Sequence, residues 1–324
     1  MKKNIAVLSG GNSSESEISV KSGKQVANWI DKEKFNVFPV FVKGTKWTLG
    51  NENGVDVDKT DFSITQNGTK TMFDFAYIII HGTPGENGLM PGYFEMMGIP
   101  HSTCNTLVSS LTFNKYFCKL ALGDINILTA KAVLVKKNEK ISAEEIVKVV
   151  GLPCFIKPNA GGSSCGISKV KTIEEIPASL ELAFKEDNEI IIEEFINGTE
   201  ISCGVIKTKD KTFLFPISEI VPKNEYFDYE AKYTPGMSEE ITPAQIPAHV
   251  GKECHRLSLA IYNFLGCVGI VRIDYIISND KLYFLEINTI PGMSEASIIP
   301  QQAKIYGISM TELLTRIIED ILGK

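Results

Sequence analysis

The chain has 324 residues, is 44% hydrophobic and carries a formal net charge of −6. That length accommodates two or three domains with a sizeable core, and the charge lacks the basic footprint of a nucleic-acid binder. No stretch reaches the ~18 apolar residues of a membrane span, seven scattered cysteines without a Cys-x-x-Cys read as reduced thiols of a cytoplasmic protein, and four histidines lack zinc-ligand spacing.

The first hundred residues alternate in character. Residues 5–9 read as a buried strand, too short and too soon polar for a signal peptide. Gly10-Gly11-Asn12-Ser13-Ser14-Glu15 then leads into a helix expected over 16–30, with Ser13 or Ser14 as its cap and acids in its first turn. Residues 35–42 and 73–81 read as further strands and 89–97 as a helix, whereas the polar, Gly/Asn-rich stretch 43–71 reads as hairpin or loop. This βαβ punctuation predicts a parallel sheet. Open α/β sheets bind ligands beyond the carboxyl ends of their strands, which marks Glu15 and His81 as candidates; a packed histidine is the equal alternative for His81.

The middle of the chain opens near Cys104. Helices are expected over 112–122, 143–150 and 173–185, and strands over 130–136, 153–157 and 189–195. Lys157 ends one strand and precedes Pro158-Asn159-Ala160-Gly161-Gly162-Ser163-Ser164-Cys165-Gly166. Consecutive amides and hydroxyls can cradle phosphate beside a lysine charge, though an ordinary turn has the same composition. The stretch is not a P-loop, and no Gly-x-Gly-x-x-Gly follows the first strand. Glu193-Glu194-Phe195-Ile196 combines apolar and carboxylate groups, compatible with an adenine and ribose pocket or with a strand ending at the surface.

Strands are expected over 200–207 and 212–219, then a polar, aromatic loop over 222–241 containing Asp228-Tyr229-Glu230-Ala231-Lys232-Tyr233, and a long helix over 247–265. The loop reads as a lid or as solvated surface. Val271-Arg272-Ile273-Asp274-Tyr275 and Leu285-Glu286-Ile287-Asn288 are β-branched runs flanking Ser278-Asn279-Asp280-Lys281, the composition of a hairpin turn. With the turn centred near Asp280, Asp274 faces Glu286 and Arg272 faces Asn288, all on one face. Directly opposed carboxylates destabilise a sheet unless a cation lies between them, and two carboxylates plus an amide oxygen suit Mg²⁺; a solvated sheet face carrying scattered charge is the alternative. Pro291-Gly292-Met293-Ser294-Glu295-Ala296-Ser297 follows, with the Gly292 N–H suited to an oxyanion and Ser297 to a carboxylate. Short helices over 298–305 and 311–322 finish the chain.

In their order and spacing, these motifs together with Asn114-Lys115 and Leu285-Glu286-Ile287-Asn288-Thr289 resemble the ATP-grasp superfamily and, within it, the D-alanine–D-alanine ligase family. The resemblance runs over nearly the whole chain. It implies an α/β fold of three subdomains: an N-terminal parallel-sheet domain (1–103), and central (104–196) and C-terminal (197–324) α+β subdomains that sandwich ATP. It implies ATP-dependent joining of two D-alanines through an acyl phosphate for peptidoglycan synthesis. The alternatives are a D-alanine–D-lactate ligase or, remotely, a non-catalytic nucleotide-binding module. Tyr233 resembles the alanine-specific members.

Carried over residue by residue, Lys115, Lys157 and Ser164 correspond to phosphate contacts, and Glu193, Glu194, Ile196 and Glu200 to the surroundings of adenine and ribose. Asp274, Glu286 and Asn288 correspond to ligands of Mg²⁺, two ions being expected and Mn²⁺ an acceptable substitute. Glu15 corresponds to the holder of the first D-alanine's ammonium with His81 nearby, Arg272 and Gly292 to oxyanion stabilisers, and Lys232 and Ser297 to contacts of the second D-alanine's carboxylate. Tyr233 corresponds to a lid tyrosine linked to Glu15 and Ser163. Asn87 stands where many relatives carry aspartate, and Glu194 replaces a frequent lysine. The resemblance also implies a homodimer, with no nucleic-acid or membrane partner.

Overall fold

The computed structural model describes residues 1–162, 165–222 and 238–323. The chain opens with β1 (Lys3–Gly10), α1 (Ser16–Trp29), β2 (Phe35–Lys43) and β3 (Lys46–Leu49). A small antiparallel sheet of β4 (Val57–Asp58), β5 (Ser63–Gln66) and β6 (Thr69–Met72) fills most of the stretch read as hairpin or loop. After β7 (Phe75–Ile78), the main N-terminal sheet is complete in the order β3-β2-β1-β7, with β1 parallel to both β2 and β7 as expected. Its central strand is buried from Ile5 onward, so it reads as a continuous apolar run rather than an alternating one.

α1 lies against β1 through Ser19, Ser22, Gly23, Val26 and Ala27. Ser19 Oγ donates to Ile79 O at 2.7 Å and accepts from Gly10 N at 2.8 Å, tying the helix to the carboxyl ends of two strands. The expected serine cap is not found. Glu15 occupies the N-cap position without a side-chain cap, while Ser13 Oγ turns away to donate to His81 O at 2.8 Å. A tertiary acceptor has taken the hydroxyl that the local pattern assigned to the helix.

Next come α2 (Leu89–Met97), α3 (Thr106–Phe113) and α4 (Lys115–Gly123). The single helix expected over 112–122 is thus two helices broken at Asn114. That residue adopts an extended conformation, caps α4 by accepting from Phe117 N, and forms an isolated bridge with Ala160. Lys115 N donates to Asn159 O at 3.0 Å, so the glycine-rich loop sits on the first turn of α4.

β8 (Ala132–Lys136), α5 (Ala143–Val150), β9 (Cys154–Pro158), β10 (Ser168–Val170), α6 (Ile176–Ala183) and β11 (Glu189–Glu194) form the central unit. Its antiparallel sheet runs β10-β9-β11-β8. A reciprocal capping box between Ser142 and Glu145 starts α5. β12 (Thr199–Lys207), β13 (Thr212–Leu214), β14 (Ser218–Pro222), β15 (Ser238–Ile241), α7 (Ala248–Leu265), β16 (Val271–Ser278) and β17 (Lys281–Asn288) follow, and the strands form an antiparallel sheet ordered β15-β14-β12-β16-β17, with β13 paired to β12. α8 (Ile298–Tyr306) and α9 (Met310–Ile321) end the chain. No helix among the described residues is long and apolar enough to cross a membrane.

The β16–β17 hairpin has the expected partners by an unexpected route. Asn279 and Asp280 both have positive φ, as a two-residue type I′ turn requires, and Ser278 pairs with Lys281. Continued regularly, that register would set Asp274 against Leu285. A bulge between Asp274 and Tyr275 absorbs the extra residue, and Asp274 then faces Glu286 and Arg272 faces Asn288.

The cores do not follow the chain in simple blocks. Leu313, Leu314, Ile317 and Ile318 of α9 share one apolar cluster with β1, β2 and β7, whereas Val108, Cys118 and Leu122 of α3 and α4 share another with β12 and β16. Truncating fully buried Leu313 to alanine should therefore destabilise the N-terminal unit by about 2–5 kcal/mol. The urea midpoint, followed by Trp29 and Trp47 fluorescence, checks this; an unchanged midpoint would contradict the shared core.

Candidate functional site

A cavity of about 400 Å³ opens where the three main sheets converge, a size typical of small-molecule sites. Among the expected site residues it is lined by Glu15, His81, Lys115, Lys157, Glu200, Arg272, Asp274, Glu286, Asn288, Gly292 and Ser297. Glu193, Glu194 and Ile196 do not line it. Ser163, Ser164, Lys232 and Tyr233 lie outside the described residues.

The sheet carrying β12, β16 and β17 forms the acidic floor. Asp274 is 2% exposed and heavily engaged. It accepts from Ser202 Oγ at 2.5 Å, Arg272 Nε at 3.0 Å, Arg272 Nη2 at 2.8 Å and Asn288 Nδ2 at 3.0 Å. Burial opposes the Arg272 charge, but the Asp274 carboxylate outweighs it and holds the guanidinium above its ordinary pKa. Glu286 stands directly across from Asp274, with Lys115 Nζ 3.7 Å from its carboxylate. Among the described residues no three His, Cys, Asp or Glu side chains converge as a metal cage. A divalent ion here would therefore use the two carboxylates and an amide oxygen, a hard-donor set that suits magnesium once the Asn288 amide turns its oxygen inward.

The opposite wall carries the two lysines. Lys115, at the start of α4, donates to Gly161 O at 2.6 Å. Lys157, at the end of β9, reaches Glu193 Oε2 at 2.5 Å. Burial alone would lower the Lys157 pKa, but the Glu193 carboxylate reverses this and the net shift is upward. Burial would raise Glu193, yet Lys119 and Lys157 bring it down to about 2. Glu193 thus faces lysines rather than the cavity. Glu194 accepts from Lys131 N at 2.9 Å.

Glu15 and His81 stand at the carboxyl ends of the N-terminal strands. A Cβ on Gly162 would come within 2.5 Å of Glu15 Oε2, so glycine is what lets the loop touch that carboxylate. Both His81 nitrogens are engaged: Nδ1 lies 3.0 Å from Ile290 O and Nε2 lies 3.3 Å from Ser22 Oγ. Burial lowers the His81 pKa, and a neutral ring with its proton on Nδ1 satisfies both contacts. Ser22 Oγ in turn accepts from Met293 N at 3.4 Å, so the histidine links α1 to the loop bearing Gly292. A Cβ on Gly292 would lie 2.9 Å from Ser297 Oγ, which places those two expected contacts side by side.

The profile described as D-ala D-ala ligase N-terminus matches residues 4–104, and that described as D-ala D-ala ligase C-terminus matches 119–319. A D-alanine–D-alanine ligase of Phocaeicola vulgatus is 49% identical over 323 residues, covering 99% of each chain. One of Azobacteroides pseudotrichonymphae is 50% identical over 323 residues, covering 98% of this chain and 100% of that one. The chain belongs to the D-alanine–D-alanine ligase family. Among solved structures, the VanG D-Ala:D-Ser ligase of Enterococcus faecalis matches with a TM-score of 0.88 at 33% identity, covering 99% of this chain and 100% of that one. The Bacillus anthracis D-alanine–D-alanine ligase complexed with ATP matches with a TM-score of 0.78 at 30% identity, covering 99% and 97%. The α/β ATP-grasp fold expected for the family holds across the described residues.

Four residues in or beside this cavity of the D-alanine–D-alanine ligase family member escaped sequence reasoning. Ser202 alternates with Glu200 on β12, so period two could have placed it on the floor beside Asp274. Lys119 follows Lys115 by one helical turn. Glu240 lines the cavity only because β15 pairs with β14, which no local signal reveals. Glu86 lies in the loop that follows His81 and accepts from Gly82 N at 2.7 Å. Burial and the neighbouring Glu15 carboxylate push the Glu86 carboxyl up to about 8 from 4.5. Because that pKa is raised on folding, its contribution to stability is complete below 4.5 and lost as pH rises through about 8. Relative to wild type, Glu86→Gln should lose less thermal stability between about pH 6 and pH 9. Melting curves across that range check it, and parallel pH profiles would contradict it.

Proposed function

We infer that this chain joins two D-alanines at the expense of ATP, giving D-alanyl-D-alanine, ADP and phosphate for peptidoglycan synthesis. The observation that carries this reading is one cavity holding Lys115 and Lys157, an opposed pair of carboxylates, the partly buried Arg272 and a separate carboxylate at Glu15. Those groups match what the chemistry needs: cations for phosphate, donors for a metal, and an anion for a substrate ammonium.

The proposed roles follow from that arrangement. Glu15 holds the ammonium of the first D-alanine, and Lys115, Lys157 and Ser164 orient the phosphates of ATP, with Glu200 toward the ribose and the chain around Glu193, Glu194 and Ile196 toward the adenine. A carboxylate oxygen of the first D-alanine attacks the γ-phosphorus; the bond to the bridging oxygen breaks and ADP leaves. The amine of the second D-alanine, its carboxylate held by Lys232 and Ser297, attacks the acyl carbon. Arg272 and the Gly292 N–H stabilise the oxyanion, phosphate leaves, and the amine gives up its proton. Asp274, Glu286 and Asn288 would hold magnesium, as one or two ions, which would supply positive charge beside the phosphate oxygens. Tyr233, with Ser163 and Glu15, closes the lid against water.

The segments proposed to carry these roles are 1–103, 104–196 and 197–324, although their cores interlock. A homodimer working in the cytoplasm, apart from membranes and nucleic acid, completes the proposal.

Phosphate release from Mg-ATP with D-alanine, L-alanine or no amino acid, with product masses, tests the reading: release should require D-alanine and yield the D-alanyl-D-alanine mass. Release without D-alanine, or a different product, would refute it. The 33% identity to a D-Ala:D-Ser ligase makes D-serine a second nucleophile to compete against D-alanine, alongside D-lactate. Asp274→Asn and Glu286→Gln should each raise the magnesium concentration for half-maximal rate by about tenfold or more while leaving the circular dichroism spectrum unchanged. Unaltered magnesium dependence in both would remove the metal assignment.

A further inference from the structure

Behind the cavity wall lie three buried charges in a row. The Lys119, Glu193 and Lys157 side chains are 5%, 4% and 8% exposed. Glu193 gives one carboxylate oxygen to each lysine: Oε1 meets Lys119 and Oε2 lies 2.5 Å from Lys157. Of the three, Lys157 alone is part of the cavity wall. Lys119 therefore meets a carboxylate rather than a ligand, in a place where burial pulls its pKa down and the nearby Lys157 opposes its charge.

A buried lysine is costly, and an ion pair in an apolar interior rarely justifies itself by stability alone. The charge balance suggests another purpose. Two ammonium groups and one carboxylate leave the row with a net charge of +1. Without Lys119, both carboxylate oxygens would turn to Lys157, the row would be neutral, and the ammonium on the cavity wall would be held back. α4 supplies the geometry: Lys115 at its first residue faces the cavity, and Lys119, one turn later, faces Glu193.

We propose that Lys119 is a positioning residue for nucleotide binding: by setting a second positive charge against one oxygen of Glu193 it keeps the Lys157 ammonium directed at the cavity, with its charge available to phosphate. The proposal rests on the reading of Lys157 as a phosphate contact. It assigns to Lys119 no contact with substrate.

Calorimetric titration of the intact enzyme with Mg-ATP and, separately, with adenosine tests it. The readout is the ratio of the two affinities, because a charge drawn away from phosphate affects ATP and spares adenosine. Lys119→Met should lower that ratio about 10- to 100-fold. Lys119→Gln, which keeps a donor for Glu193 and guards against misfolding, should lower it in the same direction. Lys119→Arg should stay within about threefold of wild type, and Lys119→Met combined with Glu193→Gln should recover most of the ratio, since the competing carboxylate is gone. A wild-type ratio in Lys119→Gln, equal losses for ATP and adenosine, or no recovery in the double variant would overturn the proposal. Wild-type enzyme that failed to bind Mg-ATP would instead overturn the functional reading, and this inference with it.

Discussion

Two carboxylates directly opposed on a sheet face repel each other, and much of the site is arranged around that repulsion. Asp274 and Glu286 meet across the β16–β17 pair. Arg272 and Ser202 saturate Asp274 from its own sheet, while Lys115 approaches Glu286 from the far wall. Each partner comes from a different element, so the acidic pair is also a point of convergence: β12, β16, β17 and α4 must all be in place for it to be tolerated.

The same logic operates on the opposite wall with signs reversed. There two lysines are made tolerable by one carboxylate, Glu193, and the excess positive charge faces the cavity. Between an acidic floor and a basic wall, a polyanion with a divalent cation finds complementary charge on both sides. The N-terminal sheet adds a third surface. Its strand ends present Glu15 and a neutral His81, and the histidine is locked by Ile290 and Ser22 into a link with the loop that carries Gly292.

Much of this was legible in the chain. The parallel strands, α1, α2, α5, the acidic hairpin and the C-terminal helices follow from apolar periodicity and turn chemistry, which depend on neighbours within a few residues. What escaped sequence reasoning involves contacts made by distant residues. Asn114 breaks a helix because Ala160 offers it a bridge. Ser13 forgoes the cap because the His81 carbonyl takes its hydroxyl. Glu193 reads as a nucleotide contact by position in the chain, yet its carboxylate is consumed by Lys119, 74 residues earlier.

The hairpin separates the two kinds of information most clearly. The sequence by itself determined that two β-branched runs would pair around Asn279 and Asp280, because side-chain alternation and left-handed turn residues are local properties. It also determined the inventory of groups and, through its motifs, the family. Only the tertiary structure decided that a bulge would move Glu286 and Asn288 into line with Asp274 and Arg272, since strand pairing is free to gain or lose one residue until the other partners fix the register. It likewise decided which buried charges would meet. Salt bridges such as Lys157–Glu193 join neighbouring strands of one sheet, and their partners are chosen by which strands pair and in what register rather than by any spacing along the chain.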